Sequence, residues 1–122
     1  MSKKILVVDD AMTVRNLAKF ALGKAGFTII EAEDGAIGLE KAKSEKPDLI
    51  ISDLNMPNMN GLEMSRAIKA DENLKSIPIF MLTTEASAEV AKEGKEIGIM
   101  AWIVKPFEPP KLLAAVQKVL GA

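Results

Sequence analysis

Five short, unbroken runs of aliphatic and β-branched residues, separated by amphipathic stretches, restrict how this chain folds more than any other feature. The runs are Ile5-Leu6-Val7-Val8, Phe27-Thr28-Ile29-Ile30, Leu49-Ile50-Ile51, Ile77-Pro78-Ile79-Phe80-Met81-Leu82 and Trp102-Ile103-Val104. Each has the length of a strand, and continuous rather than alternating hydrophobicity suits strands buried on both faces of a parallel sheet. Pro78 removes a backbone donor early in its run, which is tolerable at a strand start.

The stretches between the runs carry helical spacing. Val14, Leu17, Ala18, Ala21 and Leu22 fall at i, i+3, i+4, i+7 and i+8, and Gly26 is suited to end that helix in the left-handed conformation. Leu112, Leu113, Val116, Val119 and Leu120 repeat the pattern, entered through Pro109-Pro110, where proline is tolerated in a first turn. Weaker stripes run from about Gly35 to Lys43, Gly61 to Ala70 and Ser87 to Ile97, with Gly94 lowering the helicity of the last. This strand-helix alternation with short connections predicts right-handed crossovers and a doubly wound α/β fold, a five-stranded parallel sheet with helices on both faces. With 122 residues and no repeats or linkers, one domain spanning 1–122 is expected.

Composition narrows the chemistry. Sixteen basic and 17 acidic residues give a net charge of -1 with no basic block, so no nucleic-acid footprint is visible. The absence of cysteine removes disulfides and thiolate sites, and a cytoplasmic location is expected. The absence of histidine removes the commonest general base, any phosphohistidine and a typical zinc site, so a metal here should be held by oxygen. Only four apolar residues, Ile5 to Val8, follow the N-terminal Met1-Ser2-Lys3-Lys4, which is neither a signal peptide nor a membrane span.

In doubly wound folds ligands bind beyond the carboxyl ends of the strands. The first strand exits into Asp9-Asp10, the third into Asp53, the fourth into Thr83-Thr84 and the fifth into Lys105-Pro106. Three converging carboxylates repel one another unless a cation sits among them, and an oxygen-only donor set favours magnesium. That combination points to phosphoryl chemistry, with a carboxylate nucleophile and with Lys105 and a threonine hydroxyl completing the coordination. A single aspartate after a strand is more often a cap or turn residue, and Asp10 also suits the cap of the first helix. Capping does not account for the whole set. Thr83 alone also reads as a strand-end hydroxyl and Lys105 as a surface lysine, but the bond before Pro106 can be cis, which would direct the lysine.

Asp9-Asp10, Asp53 within Leu-Ile-Ile-Ser-Asp-Leu-Asn-Met-Pro-Asn-Met-Asn-Gly, Thr83 within Met-Leu-Thr-Thr-Glu-Ala, and Lys105-Pro-Phe together resemble the response-regulator receiver family. The resemblance spans essentially the entire chain. It implies the flavodoxin-like strand order 2-1-3-4-5 and a two-component phosphoacceptor. Asp53 would take the phosphoryl group from the phosphohistidine of a partner histidine kinase. Mg2+ would be bound by Asp10, Asp53 and the backbone carbonyl of Asn55, with Asp9 acting through water, while Thr83 and Lys105 contact the phosphoryl group. The family implies that the domain catalyses only its own phosphorylation and dephosphorylation. Asn55 and Glu85 would flank the hydrolytic water and tune lifetime, although Glu85 equally reads as an acidic residue near a helix start.

The resemblance further implies that phosphorylation draws the Thr83 hydroxyl inward and that an aromatic ring follows. Trp102 stands where many receivers have Tyr or Phe, and its larger ring needs different neighbours to pack inward. Its alternative reading is an aromatic packed between the fifth strand and fourth helix. The chain ends at Gly121-Ala122, just after the fifth helix, so no DNA-binding or enzymatic output domain is expected to follow. The expectation is a monomeric, stand-alone, chemotaxis-type regulator whose fourth helix, fifth strand and fifth helix bind a target such as a flagellar motor switch component, with no nucleic acid and no membrane as partner. The alternatives are a phosphorelay or kinase-associated receiver, a small magnesium-dependent phosphatase with an aspartate nucleophile, and a degenerate receiver acting as a constitutive binding module.

Overall fold

A computed structural model describes residues 3–84 and 87–121. The elements alternate as β1 (Lys4–Val8), α1 (Met12–Gly23), β2 (Thr28–Ala32), α2 (Gly35–Glu45), β3 (Leu49–Ser52), α3 (Gly61–Ala70), β4 (Ile79–Thr83), α4 (Ala88–Ile97), β5 (Ala101–Val104) and α5 (Pro109–Leu120). All paired strands are parallel, in the expected order β2-β1-β3-β4-β5.

Burial explains the unbroken apolar runs. Every residue of β3 and β4, and Ile5 to Val8 of β1, is buried because helices cover both faces of the central strands. The edge strands β2 and β5 are only partly covered. Alternate side chains feed opposite cores: Ile5, Val7, Ile51, Phe80 and Leu82 pack with Ala18 and Leu22 of α1 and with Leu112 and Val116 of α5. On the other face, Leu6, Val8, Ile50 and Ile79 meet Ala42 of α2 and Met64 and Ile68 of α3. Met81 joins Leu54 and Leu62 in a third cluster beneath Val90 and Ile97 of α4 and Trp102 of β5. Each large apolar side chain buried in this way contributes roughly 1.5–3 kcal/mol relative to exposure.

Two details depart from the sequence pattern. The fourth strand starts at Ile79, not Ile77, because Pro78 has no N–H for the ladder; its carbonyl still accepts from Ile50 N–H at 3.0 Å. The buried stripe of α1 is Arg15, Ala18 and Leu22, with Leu17 exposed. A guanidinium outside the predicted apolar stripe is thus buried, and its hydrogen bonds offset its burial. Gly26 does terminate α1: it has φ 100°, its N–H bonds the Gly23 carbonyl, and Phe27 N–H bonds the Leu22 carbonyl.

Helix starts anchor the loops around the carboxyl edge of the sheet. Asp34 accepts from Ile37 N–H, while Asn60 and Glu63 form a reciprocal capping box. Gly61 packs so closely that a Cβ there would lie 2.3 Å from the Asp53 carbonyl oxygen and 3.0 Å from Met81 Sδ. Gly23 has nothing within 4 Å of such an atom. Gly61→Ala is therefore expected to lower unfolding free energy by roughly 2–3 kcal/mol. Gly23→Ala should raise it by about 0.5 kcal/mol. Urea denaturation of the two variants checks the contrast, and equal effects would contradict the close approach at Gly61.

Candidate functional site

Sheet register brings the strand exits together. Val8 pairs with Ser52, so Asp9 and Asp53 leave neighbouring strands side by side, and Asp53 N–H donates to the Val8 carbonyl at 2.8 Å. Thr83, fully buried, pairs with Val104, and Lys105 N–H donates to the Thr83 carbonyl at 2.8 Å. This edge lies where strand order reverses between β1 and β3, the position at which open α/β sheets bind ligands.

Asp9, Asp10 and Asp53 each bring a carboxylate oxygen within 4.8 Å of the other two. Lys105 Nζ bridges two of them, 2.8 Å from Asp9 Oδ2 and 3.4 Å from Asp53 Oδ1. Asp9 is 1% exposed and Asp53 9%, whereas Asp10 opens to solvent. Burial, and then the Asp9 charge, push the Asp53 carboxyl above the usual carboxylate range against the opposing pull of Lys105 and of the Leu54 N–H at 2.8 Å. For Lys105, burial disfavours the ammonium, but the Asp9 hydrogen bond and the charges of Asp9 and Asp53 outweigh it and hold the pKa above the usual lysine value.

The three carboxylates face one ammonium, which leaves two unbalanced negative charges, the complement of a divalent cation. Oxygen-only donors suit a hard ion such as Mg2+. Both Asp9 carboxylate oxygens are engaged, Oδ1 by Ala11 N–H at 2.9 Å and Oδ2 by Lys105. The Asp10 carboxylate makes no hydrogen bond or ion pair among the described residues. The donor set therefore fits a metal held directly by Asp10 and Asp53, with Asp9 one step back. Asp10 does not cap α1; the N-cap is Ala11, without a side-chain cap.

Asn55 lies two residues past Asp53 in the exposed loop before α3. That loop is braced by Gly61 N–H on the Leu54 carbonyl, by Gly35 N–H on the Met59 carbonyl, and by Asn58 Nδ2 on Asp34 Oδ2 at 2.8 Å. The Ile37 N–H first, and Asn58 second, hold the Asp34 carboxyl below the usual range. The Lys105–Pro106 peptide is cis. Half-buried Trp102 packs on α4, where a Cβ at Gly94 would come 2.7 Å from Cζ3 of its ring. Gly94 thus leaves space for the indole, which joins the reading of Trp102 as an aromatic between β5 and α4 to a specific neighbour. Glu85 lies outside the described residues.

Sequence reasoning missed Arg15, Ser52 and Asp34. Ser52 Oγ donates to the Asp53 carbonyl at 2.8 Å, and Arg15 reaches the Asp9 carbonyl at 2.7 Å. The available signal was a charged residue in register with Ala18 and Leu22 on the buried stripe.

The model of the response regulator receiver domain matches residues 5–117. Chemotaxis protein CheY of Pseudomonas aeruginosa is 39% identical over 117 residues, covering 95% of this chain and 94% of its own. Chemotaxis protein CheY1 of Helicobacter pylori is 39% identical over 120 residues, with 97% of each chain covered. The structure of chemotaxis response regulator CheY4 of Vibrio cholerae superposes with a TM-score of 0.91 at 43% identity, over 98% of this chain and 99% of that one.

The raised Asp53 pKa has a consequence for stability. The folded state binds this proton more tightly than the unfolded chain, so the contribution of Asp53 is fully present below its unfolded pKa and lost as pH rises through its folded pKa. In metal-free buffer, Asp53→Asn should stabilise the domain at pH 7 by on the order of 1 kcal/mol, with the difference vanishing below about pH 4. Denaturant titrations at both pH values measure it; a destabilised variant at pH 7 would contradict the electrostatic assignment.

Proposed function

This chain belongs to the response-regulator receiver family, and on that premise we propose that it is a magnesium-dependent phosphoacceptor that takes a phosphoryl group on Asp53 from a histidine kinase and signals by binding a target protein. The observation that carries the proposal is the convergence of Asp9, Asp10 and Lys105 on a buried Asp53 at the β1/β3 edge. Asp10, Asp53 and the Asn55 carbonyl would hold Mg2+, with Asp9 acting through water. When bound, the ion would neutralise charge on the phosphoryl oxygens.

The chain's own groups account for the remaining steps. An Asp53 carboxylate oxygen attacks phosphorus, the P–N bond to the donor imidazole breaks, and the nitrogen keeps the electron pair. Lys105, already paired with Asp53, is held within reach of negative charge that accumulates beside it. Thr83 at the end of β4 would meet another phosphoryl oxygen. Later attack by water on phosphorus breaks the acyl phosphate, releases inorganic phosphate and regenerates the Asp53 carboxylate, with Asn55 and Glu85 tuning access.

The output surface is α4, β5 and α5. Met100, just before β5, and Val104, at its end, are 59% and 52% exposed, large apolar residues open to solvent on this side. Coupling would run from Thr83 to Trp102, whose seat on Gly94 lies between β5 and α4. The chemotaxis names of the relatives favour a motility target such as a flagellar motor switch component. We also assign residues 1–122 to one monomeric receiver unit acting in the cytoplasm. Among the described residues no helix is long and apolar enough to cross a membrane.

Incubation with acetyl phosphate and Mg2+, followed by peptide mass spectrometry, should place the phosphoryl group on Asp53 alone. Asp53→Asn and added EDTA should each abolish it, and label persisting in Asp53→Asn would overturn the assignment. Lys105→Met should slow phosphorylation by roughly 100-fold, the scale of losing a group aimed at developing charge. Beryllofluoride with Mg2+ should change the fluorescence of Trp102, the only tryptophan; no change despite independently measured binding would remove it from the switch.

A further inference from the structure

Arg15 is the one arginine among the buried residues, 7% exposed, in the first turns of α1. A charged group is not buried without compensation. Its Nη1 donates to the Asp9 carbonyl at 2.7 Å, and its Nε donates to Glu31 Oε1 on β2 at 3.2 Å. Glu31 is itself held, with Lys19 Nζ 3.6 Å from Oε2 and Lys41 Nζ bonded to its main-chain carbonyl. Glu31 pairs with Val7 across the β1/β2 ladder, and Asp9 N–H continues that ladder to the Ala32 carbonyl at 3.0 Å.

Every polar group of Asp9 is thus committed: N–H to Ala32, carbonyl to Arg15, Oδ1 to Ala11 N–H and Oδ2 to Lys105. A peptide unit is planar, so the direction of the Asp9 carbonyl also fixes the N–H and the chain entering Asp10. The turn from β1 to α1 is only Asp9, Asp10 and Ala11, and Ala11 brings no side-chain cap to orient it. Arg15, reaching back from the helix, is the side chain bonded to the carbonyl of this peptide.

We propose that Arg15 is a positioning residue for the acidic site: by holding the Asp9 carbonyl toward β2, its guanidinium turns the Asp9-Asp10 peptide so that the Asp10 carboxylate is presented beside Asp53. Arginine suits this role because one planar fork binds the carbonyl and the Glu31 carboxylate together. Lysine, a single point donor, cannot reproduce that geometry. The proposal rests on the metal-binding reading above, but it also predicts a property of the metal-free protein.

Calorimetric titration of the full chain with MgCl2 should show Arg15→Lys and Arg15→Gln binding about tenfold more weakly than the parent, the scale of losing a group that orients a metal ligand. Lys41→Met, which loses only a bond to the Glu31 carbonyl, should keep its Mg2+ affinity within about twofold whatever its melting temperature. Without metal, exchange of the Ala11 amide, which is bonded to Asp9 Oδ1, should be about tenfold faster in Arg15→Lys than in the parent. Folded Arg15 variants with parental Mg2+ affinity and parental Ala11 protection would overturn the proposal, even with a lowered melting temperature. Should Arg15→Gln not fold, Glu31→Gln loosens the same guanidinium while sparing the Asp9 bond, and an effect on affinity between parent and Arg15→Lys is expected. Its absence, with Arg15→Lys also unchanged, would again overturn the proposal. If the parent protein bound no Mg2+, the metal reading would fall, and Ala11 exchange would still decide the positioning role.

Discussion

Parallel pairing of β1 with β3, in a register that sets Val8 beside Ser52, is the constraint on which the site depends. Because both strands run the same way, the residues following that pair, Asp9 and Asp53, emerge at one edge, and their negative charges cannot avoid each other. A shift of one residue would turn these side chains to the opposite face of the sheet. The buried runs on both sides of the central strands prevent such a shift, so hydrophobic packing holds together carboxylates that electrostatics would separate. Burial first, and the Asp9 charge second, raise the Asp53 pKa, and Lys105 only partly relieves them.

Around this edge the loops divide into two kinds. Those carrying the carboxylates are tightly tied: Asp9 by four polar contacts, and the loop after Asp53 by Gly61, Gly35 and the Asp34–Asn58 bond. At two points, Gly35 and Gly61, backbones approach too closely for any side chain. The proposed chemistry on phosphorus depends on positioning, and a site built in this way would need little reorganisation for it. The α4 and β5 side is different in character, with a half-buried indole over a glycine and large apolar residues open to solvent. On the proposed reading, a tightly tied site beside an exposed apolar face is a physical basis for turning a local charge change into an altered binding surface.

Most of the fold and the central carboxylates were legible because they follow from local pattern. Strands buried on both faces need unbroken apolar runs, and an acidic residue directly after such a run is conspicuous. Arg15 was hidden because helical periodicity treats a charged residue as solvent-facing, and its two acceptors, the Asp9 carbonyl and Glu31, come from the turn after β1 and from β2. Leu17 was misplaced for the same reason, since a stripe of apolar residues does not specify which edge of the stripe the sheet covers. The accommodation of Trp102 by Gly94 was equally hidden: the glycine read as a helix weakness, and its use emerges only when β5 lies beside α4.

By itself, the sequence determined the alternation of strands and helices, the doubly wound class, and the set of oxygen donors in a chain without histidine or cysteine. These depend on side-chain polarity and short-range periodicity, which are read along the chain. Only the tertiary structure decided that both Asp9 oxygens are occupied while the Asp10 carboxylate makes no hydrogen bond or ion pair among the described residues, that Lys105 bridges Asp9 and Asp53, and that a buried arginine holds the peptide between the first two carboxylates. The reason is distance: Lys105 reaches Asp9 across 96 positions of chain, and no local rule carries information over that separation.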